Sequence, residues 1–470
     1  MQKSRLIEVL RSFSERERQQ FDKYLASPYH NTQADLLRLH KHIAFALQQK
    51  LDAALDKKYI HEKLLPRQPY KDIGMRVLMS ALLKQAERFL SMEKYHSDQA
   101  TAEIYLAQAY RERKLVKSFH HTLRGARTRQ QKKPSYDSHN KYRESLLHAE
   151  EYLFSLQENR QAERDLQAWH DTLNHFFIAE TLRQVCILLT HEHVAEKDYD
   201  FLLLKDVLKA IETEEGLLDI PAIHLYYHSY HILISTQSNE HFHQLKAGII
   251  RYGAGFPQAE LKEIYTHAIN HCIRQNNKKK DTIFLRELFD LYQVGLEQGA
   301  FLENGFLSRW TYKNIVMTVL MLKEFEWVEG FIYQYESKLE RKYRKNSLAY
   351  NLAFLYHATK QYDKAISQLQ QVKFDDVFLN MNARNLLLKI YLELEEYEAL
   401  DAHLNSFEIF IRRKKITNPH RANYLNIIKL SRKIIQLNPH DKVAKAALRQ
   451  EIEVEKNPST RAFLLEILAN

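Results

Sequence analysis

The side chains best spaced for chemistry in this chain are histidines, basic residues and asparagines. On a helix, His224, His228 and His231 share one face, and His267 and His271 stand a turn apart with Cys272 beside the second. Zinc sites use such spacing, with imidazole and thiolate as ligands. A catalytic zinc also needs a third ligand placed by the fold, and no HExxH signature occurs. In His191-Glu192-His193 the second histidine comes too early, because helix positions two apart point to different sides. The 24 histidines are therefore expected as surface or semi-buried groups, with no metal and no other cofactor.

The second constellation is basic. From Arg111 to Lys133 there are nine Lys or Arg residues against one acid, Glu112, a local +8 within a total of +10. Taken as one helix, Arg113, Lys117, His120, Arg124 and Arg127 fall within about 40° of a single line. Leu115, Phe119, Leu123 and Ala126 cluster roughly 120° away as a buried face. Arg129, Lys132 and Lys133 continue the charge past the end of the stripe. Such a stripe can follow phosphates, dock an acidic protein, or simply keep a helix face solvated. Shorter clusters at Lys278–Lys280, Arg341–Lys345 and Arg412–Lys415 are expected near helix ends, where cations at a C-terminus complement the macrodipole.

Enzyme signatures are otherwise missing from the sequence. No GxxxxGK[ST], GxGxxG or GxSxG occurs, and Ser91-Met-Glu-Lys94 matches SxxK without the companion SDN and KTG elements. The expectation is a protein that is not an enzyme.

What must position these groups is a set of helices. Residues 346–379 and 380–410 read as one helix–turn–helix unit written twice, with Leu352, Tyr356, Tyr362 and Leu369 recurring 35 residues later as Leu387, Tyr391, Tyr397 and Leu404. Asn314, Phe325 and Ile332 align with Asn351, Tyr362 and Leu369 at an offset of 37, a third and more divergent unit. The small and large positions follow a tetratricopeptide repeat without its leading Trp. Such units bury their apolar face only by stacking, which produces a solenoid with a concave surface. Asn314, Asn351, Asn385 and Lys389 fall on first helices of such units, and Asn270 and Arg274 are assigned there as well. Their side chains can hydrogen-bond the backbone of a captured peptide, or bond neighbouring turns inside the stack.

Composition agrees with helices. Ten Gly and nine Pro make up about 4% of 470 residues, a third of average usage, which disfavours sheets and glycine-loop nucleotide folds. Two cysteines, Cys186 and Cys272, exclude a disulfide framework and suit a reducing compartment. Met1 to Phe13 is too polar for a signal peptide, and no apolar run reaches the length of a membrane helix. A cytoplasmic location is expected.

Three regions follow: an N-terminal helical domain over 1–95, a divergent repeat region over 96–275 carrying the basic helix 111–133, and tetratricopeptide-like repeats over 276–470. Ser14-x-x-Glu17 is a capping box, and Ser27-Pro28 ends the helix that it opens. Pro439 is placed at a helix's first position. Ser459 or Thr460 caps a last helix, Arg461–Leu468, closing the stack. The phrases from Phe21 to Asn31, Asn270 to Arg274, Leu291 to Gly295 and Tyr312 to Val316 resemble a group of tetratricopeptide-like proteins common in bacteroidete bacteria. That resemblance implies the fold and a bacterial cytoplasmic habitat, with no activity attached. His30 stands where the group has an aromatic.

The fold class expected is all-α, a helical N-terminal domain followed by a tetratricopeptide-like α-solenoid of stacked hairpins. The function expected is a protein–protein interaction scaffold binding a protein segment in the concave groove. The alternative is a nucleic-acid or ribosome-associated factor using the basic helix.

Overall fold

A computed structural model describes residues 1–470 except 50, 67–68, 133, 159–165, 196, 236–238, 280–281, 372–375, 415–417, 439, 456–457 and 470. Lys133, Lys280, Lys415 and Pro439 thus lie outside the described residues. The protein is all-α, with one two-residue β-hairpin among the described residues. It divides into two compact units by packing. The first comprises Met1–Pro134 and His139–Phe176, the second Ser135–Ser138 and Phe177–Asn470. The boundaries at 95 and 275 follow changes of sequence pattern instead.

In the first unit, α1 (Arg5–Ser12), α2 (Glu15–Ala26), α3 (Ala34–Gln48), α4 (Lys57–Leu64) and α5 (Asp72–Ser97) share one core around Leu10, Phe21, Leu39 and Phe89. The capping box is present: the Ser14 hydroxyl accepts from the Glu17 amide, and the Ser14 amide donates to Glu17 Oε2 at 2.7 Å. The Ser14 hydroxyl, which also donates to Glu17 Oε2, and then the Ser14 amide lower the Glu17 carboxyl below its ordinary range. The corner after Pro28 is held by Asn31, whose amide donates to the Leu25 and Gln33 carbonyls and accepts from the Gln33 amide. With every bond made, this buried amide fixes the entry of α3 without an orphan group. The His30 ring stacks on Tyr24 at 4.4 Å. Helices α1 and α4 are short, and their capping residues Ser4 and Asp56 precede them as N-caps.

Helices α6 (Gln99–Glu112), α7 (Val116–Lys132) and α8 (Ser138–Glu158) follow. Ala107, Phe119, Leu123 and Phe154 form their core, with Phe119 and Phe154 stacked at 4.1 Å. Residues of α9 (Leu166–Ala195) up to Phe176 count with this unit and the rest with the second.

The second unit continues with α10 (Leu204–Thr213), α11 (Pro221–Ile234), α12 (Asn239–Tyr252), α13 (Gln258–Lys279) and α14 (Thr282–Glu297). Strands β1 (Leu302–Glu303) and β2 (Phe306–Leu307) then pair through Asn304 and Gly305, both at positive φ. Asn-Gly is the dipeptide that a two-residue hairpin favours. Next come α15 (Arg309–Met321), α16 (Phe325–Glu336), α17 (Arg341–Ala358), α18 (Tyr362–Gln370), α19 (Val377–Glu393), α20 (Tyr397–Arg413), α21 (Asn418–Gln436), α22 (Lys442–Glu453) and α23 (Pro458–Ala469). Each packs on its successor, and the first helices α15, α17, α19 and α21 also pack on one another in sequence.

One turn recurs in these hairpins. Lys114, Lys323, Lys360 and Glu395 take left-handed backbone, with φ of 57°, 61°, 58° and 57°. In each, that residue's amide bonds the carbonyl three back, and the next amide bonds the carbonyl five back, as in Lys360 to His357 and Gln361 to Tyr356. This is the Schellman closure, and the second helix starts one residue later. Gly299 closes α14 in the same way before β1. The sequence offsets of 35 and 37 are thus offsets of an identical turn. Tyr312 then ties α15 to α16, its hydroxyl donating to the Ile332 carbonyl at 2.7 Å from a fully buried ring.

Three details differ from the sequence reading. Helix α22 is capped by Asp441, whose carboxylate accepts from Val443 and Ala444, so the helix begins at Lys442, beyond Pro439. The last helix begins at Pro458, which puts Ser459 and Thr460 inside it rather than at its cap. Arg341–Lys345 occupies the first turn of α17, the wrong end for the dipole. The reason is the neighbouring helix, because Arg344 donates to the Ser337 and Leu339 carbonyls just past the end of α16.

Candidate functional site

The row of first helices holds four of the six groove candidates. Asn314 on α15 is exposed, whereas Asn351 on α17 is 1% exposed and Asn385 on α19 is half-buried. The Asn351 amide donates to the Ser347 carbonyl one turn back at 2.7 Å, and its Oδ1 is enclosed without a partner. Asn351 therefore belongs to the packing of α17. Asn385 Oδ1 is likewise enclosed and unpartnered. Lys389 is half-buried, its amine 4.7 Å from the Phe463 ring of α23, and burial lowers its pKa against the pull of Glu393.

Asn270 and Arg274 stand on α13, which packs on α11, α12 and α14. Arg274 donates to the Ile232 carbonyl at 2.8 Å, joining α13 to α11. That nitrogen is committed to packing, and burial lowers the pKa of the guanidinium.

Lys313 on α15 was not singled out by sequence. It is half-buried, its pKa lowered by burial against the attraction of Asp376, with no salt-bridge carboxylate among the described residues. Asp376 instead caps α19 and pairs with Arg309 at 3.4 Å. The signal was its place beside Tyr312: on a helix, the neighbour of a fully buried residue sits at the edge of the buried face.

The basic segment is two helices. Arg113 closes α6, with its guanidinium donating to the Ala109 carbonyl, and Lys114 turns the chain at positive φ before α7 begins at Val116. Arg113 is therefore not on the stripe, and Leu115 is exposed in the turn rather than buried. Phe119, Leu123 and Ala126 are buried on α7, with Lys117, Arg124, Arg127, Arg129 and Lys132 exposed. Arg127 pairs with Glu151 at 2.6 Å, Arg129 with Glu103, and Arg111 of α6 with Glu150 at 2.6 Å. These pairs join α6, α7 and α8.

The histidines of α11 and α12 form a packed group. His228 Nδ1 meets His241 Nδ1 at 2.8 Å, the His231 and His241 rings stack at 4.0 Å, and His224 stands edge-on to His228 at 4.6 Å. Burial pushes His228 down to about 3 and His231 to about 4. His267 and His271 on α13 are buried too, each pushed down to about 4 by burial and then by Arg274. Among the described residues, no group of three His, Cys, Asp or Glu converges to hold a metal. Burial also raises both cysteine thiols, leaving neither poised as a nucleophile.

One buried acid escaped the sequence reading. Glu260 of α13 is 6% exposed, accepts from Tyr226 Oη at 2.8 Å, and is pushed up to about 7 by burial against the opposing Tyr226 bond and Arg183. Asp137 and Glu180 raise it further. Asp137 belongs to the segment Ser135–Ser138, whose Tyr136 amide donates to Gly255 and whose Ser138 hydroxyl donates to Glu180. A single period analysis cannot find such a cluster, because its members come from four separate segments.

No known protein family, curated protein or solved structure matches this chain. Among the described residues, no helix is long and apolar enough to cross a membrane.

Proposed function

We propose that this protein is a non-enzymatic scaffold or adaptor of the bacterial cytoplasm, a tetratricopeptide-like α-solenoid. Its row of first helices, α15 to α21, binds an extended segment of another protein. Lys313 and Lys389 carry this reading. Both are cations half-withdrawn from water on first helices, without a salt bridge among the described residues. A carboxylate brought to such a group forms a charge-assisted bond in a medium of lowered dielectric, contributing about 1.5–3 kcal/mol where a fully exposed pair contributes about 1 or less. The segment bound is therefore one that carries Asp or Glu. Preformed helices keep the ordering cost low, which favours binding by complementarity rather than by refolding. The recurrent Schellman turns, the in-line packing of first helices and the resemblance of the quoted phrases support the repeat architecture.

The test is paired affinity capture from nuclease-treated native lysate, using the full chain and its Lys313→Met/Lys389→Met variant. Methionine keeps the apolar stem and removes the charge. A protein retained by the wild type and lost from the variant is the expected result. Identical captured sets would remove the assignment to this row.

A further inference from the structure

The charge of α7 is uneven once its ion pairs are drawn. Arg127 and Arg129 are held by Glu151 and Glu103, and Arg111 of α6 by Glu150. Toward the start of the helix, Lys117, His120, His121 and Arg124 are all exposed, and none has a salt-bridge carboxylate among the described residues. These four, with the hydroxyls of Ser118 and Thr122, line a cleft of about 570 Å³ in the first unit. No acidic side chain is among the described residues that line it.

Backbone adds to the same side. The amides of Leu115 and Phe119 are bonded to the Tyr110 and Leu115 carbonyls, whereas the first-turn amides between them lack an intrahelical acceptor. Leu115, just before the helix, has no side-chain acceptor with which to cap them. The cleft thus gathers one ammonium, one guanidinium, two imidazoles, two hydroxyls and the positive end of a helix. A planar carboxylate is satisfied by two parallel donors from one fork. Donors arriving from several directions suit the oxygens of a phosphate instead. Lys117, His120 or His121, and Arg124 follow one another at about one helical turn, about 5 Å per step, so the donor set repeats along a line. A line of this kind accommodates successive phosphates of one strand better than a single ion.

We propose that the cleft at the start of α7 binds the phosphate backbone of a single-stranded nucleic acid. Lys117 and Arg124 supply the charge, and His120, His121, Ser118 and Thr122 supply hydrogen bonds. Arg127 and Arg129 stay in their ion pairs and take no part. The site lies in the first unit and the protein-binding row in the second, so either assignment can fail without the other.

The experiment is fluorescence anisotropy of the full chain with a labelled oligouridylate of about 20 nucleotides at about 50 and 200 mM salt. Two to three neutralised phosphates give a loss of roughly sevenfold to twentyfold over that range. Lys117→Glu/Arg124→Glu should bind at least about tenfold more weakly at low salt, with a salt slope shallower by about 1.4. Lys132→Glu, on the same helix but outside the cleft, should change affinity less than about threefold. Circular dichroism of both variants should match the wild type. Undiminished binding by the double variant would overturn the proposal, as would an equal loss in Lys132→Glu. Displacement of the oligonucleotide by an equal concentration of inorganic phosphate would assign the cleft to a small anion and also overturn it.

Discussion

His228 and His241 face each other across the α11–α12 hairpin with their Nδ1 atoms 2.8 Å apart, so one must donate and the other accept. That bond requires the accepting ring to be neutral. A proton added to the acceptor would set two N–H groups against each other beside His224 and His231. Burial holds His228 near 3 and His231 near 4, and His267 and His271 behave alike at about 4.

Acid should therefore unfold the second unit early. These folded pKa values lie below the unfolded value of about 6.5, so the stability is complete above that pH and is lost as pH falls toward 4. At about pH 5 each enclosed histidine opposes folding by up to about 2 kcal/mol. Glu260 works the other way, since its pKa of about 7 exceeds the unfolded value and favours folding more at pH 5 than at pH 8. Four histidines outweigh one carboxyl. A thermal melt series should show Tm falling by several degrees from pH 7 to pH 5, and a flat or rising Tm would contradict the neutral cluster.

Lys360 holds left-handed backbone at φ 58° without the freedom of glycine. Its side chain is exposed, so the main effect of Lys360→Gly is relief of that conformation. The expected gain is about 1 kcal/mol, a rise of about 2 °C in Tm. A fall in Tm by calorimetry would mean that the lysine side chain does more than turn the chain.

Gly255 lies under the Tyr136 ring, where an added Cβ would collide with Tyr136 Cδ2. Gly255→Ala should displace the segment Ser135–Ser138, at a cost of about 2 kcal/mol. Tyr136→Ala added to it should cost little more, because the ring has already been expelled. Additive losses in denaturant melts would show that the two residues act separately.

Of the two roles open to Asn351, peptide capture and bonding within the stack, its burial and its bond to Ser347 agree with the second. The Oδ1 atom is enclosed without a donor. Replacing the amide by an apolar group of similar size removes that desolvation penalty, so Asn351→Leu should leave Tm unchanged or raise it. A drop of several degrees would reveal a donor for this oxygen.

The fold was readable where a local rule sufficed. Apolar spacing marked the hairpins after Asn314, and Ser14 with Glu17 marked a helix start. Asn304-Gly305 marks the β-hairpin locally, in a chain whose low glycine content otherwise points away from strands. The site was less readable, because burial of a polar residue depends on its neighbours in space. Asn351 and Lys313 both sit on first helices, yet packing seals one and leaves the other half-open. Arg113 and Arg124 looked collinear on one helix until Lys114 broke it, since a lysine in left-handed backbone carries no compositional flag. Arg127 and Arg129 looked free because Glu151 and Glu103 are distant in sequence.

The most direct test of the protein-binding row is zero-length carbodiimide coupling between the full chain and its captured partner, followed by mass spectrometry of the linked peptides. This chemistry joins an amine to a carboxylate only when the two are in contact. The account requires linkage from Lys313 or Lys389 to an Asp or Glu of the partner. Linkage confined to lysines outside α15, α17, α19 and α21, with Lys313 and Lys389 unmodified, would contradict it.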